Sequence, residues 1–141
     1  MSQSGQDAPE QVRAMMAADE ASRALGISLE RAGDGCAVAR MTVRPDMVNG
    51  HAIAHGGVVF TLADTAFAGA CNSWGPVTVA AGAAIEFLAP VRVGDELVAE
   101  ARVRSQAGRH GIYDVTVRRA AEVVAEFRGR STTLRRNPPG G

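Results

Sequence analysis

Hydrophobic and polar positions recur with three different periods along this chain. Between Pro9 and Gly26 the apolar residues Val12, Met15, Met16, Ala21 and Leu25 return at helical spacing. They predict one amphipathic helix over 10–25, with proline in its first turn and glycine as its stop. Over 36–43, Ala37, Ala39, Met41 and Val43 alternate with Arg40, Thr42 and Arg44, which predicts a strand ending at Pro45. A loop over 45–54 follows. From 57 to 73 the apolar positions, among them Val58, Val59, Leu62, Ala66 and Cys71, surround the whole helical circumference. That pattern predicts a helix enclosed by protein on every side.

After Gly75 and Pro76 come runs of strand type at 77–88, 96–106, 111–119 and 123–134. In the second of these, Leu97, Ala99, Ala101 and Val103 alternate with Glu100, Arg102 and Arg104, so one face is dry and the other wet. The connectors 90–95, 107–110 and 120–122 are short enough for antiparallel neighbours. Residues 135–141 are polar and rich in proline and glycine, which predicts a flexible tail. The expected fold class is therefore α+β, with a curved antiparallel sheet wrapped around a long apolar helix. Such a sheet leaves open edges, and pairing with another copy would close them. A homo-oligomer is expected.

Composition narrows the function. A chain of 141 residues suits one domain, taken as 1–134. Fifteen basic and fifteen acidic residues cancel, so no broad positive field exists for nucleic acid or an anionic membrane. Every basic residue is arginine, which excludes Schiff-base chemistry on lysine. Cys36 and Cys71 are too few for a disulfide framework or a structural zinc site, and both read as reduced core residues. The stretch with Gln3, Gln6, Asp7 and Glu10 shows neither a secretory signal nor a transit peptide, and the apolar run 58–71 is short and interrupted by Asp64. The expected setting is the cytoplasm. No GxSxG, GxxxxGK or GxGxxG string occurs, so serine esterase, nucleotide hydrolase and dinucleotide chemistry lack their local signatures, and no cofactor is implied.

Asp64 is the one formally charged residue between Met47 and Ile85. Burial raises the pKa of a lone carboxyl, so its presence calls for a reason. By itself it reads equally well as a structural brace. Upstream, Asn49 and the run His55, Gly56, Gly57 deliver the chain into the start of the apolar helix. The glycines form either a plain tight turn or a place where substrate approaches backbone amides able to hold an oxyanion. Asp64 lies about 12 Å further along the helix by helical rise, so it reaches the same carbonyl only if a second copy supplies half the site. His51 and His55 with Asp64 suggest a metal set on first sight, but no helical HExxH pattern supports it and no metal is expected. His110 reads as a solvated hairpin residue.

Asn49, the His55, Gly56, Gly57 run and Asp64, set on a loop and an apolar helix ahead of antiparallel strands, closely resemble the hotdog-fold acyl-CoA thioesterases. The string from His55 to Asn72, with Ile85 to Leu88, Gly111 to Val115 and Phe127 to Ser131, is most similar to the phenylacetyl-CoA thioesterases of bacterial phenylacetate degradation. The resemblance spans 10–134. It implies that Asp64 is general base or nucleophile, that the amide of Gly56 or Gly57 polarises the thioester carbonyl, and that Asn49 and His55 help place water or carbonyl. It also implies an acyl-CoA substrate and a homotetramer built as a dimer of dimers, with active sites at the dimer interface. Some relatives carry a hydroxyl on the strand after the helix, where this chain has Ala80 and Ala81. Phe60, Thr65 and Phe67 are candidates for the acyl pocket, and Arg109, Arg128 and Arg130 for the CoA phosphates. Two alternatives stand beside hydrolysis: an acyl-thioester hydratase or dehydratase using Asp64 and His55, and a non-catalytic acyl-CoA-binding module.

Overall fold

The computed structural model describes residues 7–134. Helices α1 (Glu10–Ala17) and α2 (Glu20–Ala24) lead into strands β1 (Ser28–Gly33) and β2 (Cys36–Thr42). A short 3-10 turn (Pro45–Met47) and the loop after it reach α3 (Gly56–Cys71), followed by β3 (Thr78–Phe87), β4 (Glu96–Ala107), β5 (His110–Arg119) and β6 (Glu122–Thr133). All six strands form one sheet in the order β1-β2-β4-β5-β6-β3, and every pairing is antiparallel. The α+β class holds. The tail expected at 135–141 lies outside the described residues.

The sheet curves around α3, and the inward positions of its strands make the core. Ala37, Ala39 and Met41 of β2, Leu97 and Ala99 of β4, and Val115 and Val117 of β5 are buried against Leu62, Ala63, Ala66 and Ala70 of α3. Small residues on both surfaces let helix and sheet approach closely. A Cβ on Gly69 would meet Leu29 and Ala37 at 3.1 and 3.2 Å, and one on Gly129 would meet the Phe67 ring at 2.8 Å.

Five expectations need correction. The segment 10–25 is two helices, because the Asp19 side chain accepts the Ser22 N–H and caps a new start. Strand β1, unforeseen, is bulged between Leu29 and Arg31, which breaks the period-two pattern. It joins β2 through Asp34 and Gly35, both at positive φ, as a two-residue hairpin turn requires. Cys36 is exposed, since the alternation that turns Ala37 inward turns its neighbour outward, whereas Cys71 is buried with its thiol pushed up to about 12 by desolvation.

The fourth correction concerns α3. Gly57 is exposed and Thr61, Asp64 and Ala68 are half-buried, so one stripe of this apolar helix is uncovered within a single chain. Strand β3 also departs from simple neighbour pairing. It lies beyond β6, and the connector to β4 crosses the open end of the sheet, held by Leu88 N–H to the Val124 carbonyl and by Arg119 to the Pro90 carbonyl.

Candidate active site

The loop before α3 is built to present backbone. Asn49 Oδ1 accepts the N–H groups of His51 and Ile53 at 2.8 and 3.3 Å, and only an oxygen can accept there. The Asn49 Nδ2 donor is thereby left without a partner among the described residues. Two straps hold the loop's end: Ala54 N–H donates to the Val91 carbonyl and His55 N–H to the Met47 carbonyl, both at 2.7 Å.

His55 caps α3. Its Nδ1 accepts the Gly57 N–H at 3.2 Å, which puts the imidazole proton on Nε2, and its carbonyl accepts the Val58 N–H at 2.9 Å. That leaves the Gly56 N–H without an acceptor among the described residues, at the positive end of a sixteen-residue helix. Of the two glycine amides considered from sequence, Gly57 is therefore engaged and Gly56 is free. Gly56 lines a groove of about 350 Å³ with Asn49, Ile53, Val59, Phe87 and Leu88. A Cβ there would lie 3.0 Å from Phe87 Cζ, so the aromatic ring closes over bare backbone.

Asp64 stands two turns further along α3, on the uncovered stripe. No hydrogen bond to its carboxylate is made among the described residues, and burial, then the charge of Asp19, raises its pKa above 3.8. It does not line the groove at Gly56. A single chain thus brings Asn49, His55, Gly56 and Gly57 together and keeps Asp64 apart. Among the described residues no group of three His, Cys, Asp or Glu side chains could hold a metal ion.

The remaining candidates are dispersed. Phe67 is buried against Tyr113 and Phe127, and Thr65 is buried with its hydroxyl bonded to Thr61 and Ser22. Phe60 is half-buried, edge-on to Phe127 at 5.3 Å between centroids. Arg128 is held by both oxygens of Asp114, and Arg109 Nε donates to the Thr133 carbonyl. Arg130 lies across Gly82 and makes no hydrogen bond among the described residues, beside a groove of about 300 Å³ with Ser105, His110 and Thr132. Phe87, Asp19 and Ser22 were not foreseen. The spacing Asp19 to Ser22 is an N-cap signature that could have revealed two of them. Nothing in the strand pattern distinguishes Phe87.

Comparison with protein families matches residues 51–126 to the thioesterase superfamily. Over 119 residues the chain is 48% identical to the acyl-coenzyme A thioesterase PaaI of Escherichia coli (strain K12), covering 84% of this chain and 85% of that one. The structure of the E. coli PaaI protein from the phenylacetic acid degradation operon superposes with a TM-score of 0.84 at 46% identity, over 86% of this chain and 89% of that one. A mutant of the phenylacetic acid degradation protein PaaI from Thermus thermophilus superposes at 0.80 with 34% identity, over 82% and 100%. With a curved antiparallel sheet wrapped on one long helix, and with these likenesses spanning most of its length, the chain belongs to the thioesterase superfamily and has the hotdog fold.

Proposed function

We propose that this protein hydrolyses arylacetyl-CoA thioesters, phenylacetyl-CoA and its ring-hydroxylated or ring-oxidised derivatives, to the free acid and CoA. At the coarser level, superfamily membership and 48% identity to an acyl-coenzyme A thioesterase make it an acyl-CoA thioesterase. Likeness to two proteins of phenylacetic acid degradation supports the aryl group. One observation carries the mechanistic reading: the Gly56 N–H, at a helix start, lines an apolar groove beside Asn49 Nδ2, and neither donor has a partner among the described residues.

In this reading the thioester carbonyl oxygen accepts the Gly56 N–H, and charge gathering on it in the tetrahedral intermediate meets the helix dipole. One such donor contributes roughly 3 to 4 kcal/mol. His55 keeps the first turn wound by holding Gly57, so it positions the donor without touching the acyl group. Asp64 of a second copy acts from the other side, as base towards water or as the nucleophile itself. The leaving thiolate, with a pKa of about 8.5 by analogy with cysteine, needs no general acid. The groove wall of Ile53, Val59, Phe87 and Leu88 suits an aryl or acyl chain. Arg130, with no anionic partner among the described residues, is better disposed towards a CoA phosphate than Arg128, already engaged by Asp114. A tetramer of two dimers working in the cytoplasm belongs to the same proposal. Association of copies is supported by the place of β3 at the end of the sheet, where Val79 and Phe87 are 42% and 53% accessible.

The test is thiol release with a chromogenic reagent across an acyl-CoA panel, with the acyl products identified. Faster turnover of arylacetyl-CoA than of straight-chain acyl-CoA is expected. A hydrated or dehydrated acyl group with CoA still attached would instead make the protein a hydratase or dehydratase. Binding with no turnover would make it a carrier.

A further inference from the structure

The uncovered stripe of α3 runs through Gly57, Thr61, Asp64 and Ala68, and only Thr61 and Asp64 put polar side chains on it. They stand three residues apart in a continuous helix, which places their Cβ atoms about 5 to 6 Å from each other. Helical side chains lean back towards the N-terminus, so the Asp64 carboxyl is directed over the turn that carries Thr61. The Thr61 hydroxyl donates its one proton to the Gly57 carbonyl at 2.8 Å, and its oxygen therefore has only lone pairs left to offer. Its turn is held from behind. The Thr61 carbonyl accepts the Thr65 hydroxyl at 2.7 Å, and Thr65 Oγ1 lies 2.9 Å from Ser22 Oγ, both residues being buried.

Two acceptors side by side, an ionised carboxylate and a hydroxyl oxygen whose proton is engaged, call for a molecule with two protons to give. Water is that molecule. An attacking water needs the same arrangement, because with both protons bound its free lone pair can face the carbonyl carbon. The other polar side chains considered for the site do not supply a second acceptor. Asn49 Oδ1 takes two backbone N–H groups, His55 Nδ1 takes that of Gly57 and leaves Nε2 as a donor, and β3 carries no polar side chain from Val79 to Ile85. We propose that Thr61 is a catalytic residue of thioester hydrolysis, its hydroxyl oxygen and the Asp64 carboxylate together holding the attacking water. The inference rests on Asp64 being the acting acid, and it makes water, not the thioester, the species on which Asp64 acts. As the water oxygen bonds to the thioester carbon, one of its protons passes to Asp64 and the other stays on the oxygen, still bonded to Thr61 Oγ1. The C–S bond then breaks with its electron pair going to sulfur, and Asp64 returns its proton to the thiolate or to solvent.

Thr61→Val exchanges the hydroxyl for a methyl group of similar size, whereas Thr61→Ser keeps the hydroxyl. In thiol-release assays on acyl-CoA, Thr61→Val should lower kcat by roughly a hundredfold with KM little changed, the loss expected of a misplaced reactant, and Thr61→Ser should keep most of the wild-type kcat. Both should melt close to wild type, since back-bonding to a carbonyl four residues earlier adds no stability to a helix. Should the valine variant fold poorly, Thr61→Ala makes the same deletion. Many turnovers in heavy-oxygen water should label the acid product and leave the peptide containing Asp64 unlabelled. A Thr61→Val enzyme with near-wild-type kcat, a Thr61→Ser enzyme as slow as the valine variant, or label in Asp64 overturns the inference. Asp64→Asn serves as the separate control. If that variant retains near-wild-type turnover, the reading of Asp64 falls; if it is inactive while Thr61→Val is not, only the role of Thr61 falls.

Discussion

At Gly56 one missing side chain serves two ends, an amide open to the groove and an aromatic ring laid against the backbone. Gly56→Ala should lower kcat/KM by about a hundredfold, as expected for a reacting carbonyl displaced by the order of 1 Å. Its melting temperature should change little, because the half-exposed Phe87 can swing away; steady-state thiol release and thermal melting report the two effects. Asp64 sets activity against stability. An acid whose folded pKa exceeds its unfolded value of 3.8 holds its proton more tightly when folded, so stability falls as pH rises from about 3.8 through the raised value. Asp64→Asn should therefore melt higher than wild type at neutral pH and lose that advantage in acid, while turnover drops by roughly 10² to 10⁴. Equal melting curves at pH 7 would show that the carboxylate carries no burial penalty.

The start of α3 depends on one side chain. His55→Ala removes the acceptor for Gly57 N–H and should cost about 1 kcal/mol of stability, measured by denaturant unfolding. It should also slow turnover, because the first turn then frays and the Gly56 amide loses its aim. This element was legible in the sequence to within two residues, as were β4, β5 and β6, because long runs of one period leave little ambiguity. The shorter elements were hidden by local chemistry. Asp19 offered the backbone a cap in the middle of an apparently continuous helix, and the bulge at Leu29 and Arg31 erased the alternation of β1. Of the proposed site, the loop and the acid stood out as candidates by residue type, their roles came with the family resemblance, and preferring the Gly56 amide to that of Gly57 required seeing which one His55 had already taken.

The whole molecule ends in two unfinished surfaces, the stripe of α3 that carries Asp64 and the outer edge of β3. The apolar circumference of α3 foretold an enclosed helix, yet one chain covers only part of it, and half of the proposed site is similarly missing. Both gaps would be filled by a second copy meeting the β3 edge, each copy lending its Gly56 to the other's Asp64. Complementation decides the matter more sharply than a molecular mass. Asp64→Asn and Gly56→Ala chains are each expected to be nearly inactive as pure oligomers. When the two are unfolded together and refolded as a mixture, half of the dimers pair unlike chains, and each of these holds one doubly damaged site and one intact site. Thiol release should then recover to about a quarter of the wild-type value per chain. If instead each site were built within a single chain, every site in the mixture would carry a lesion, and refolding together would restore nothing.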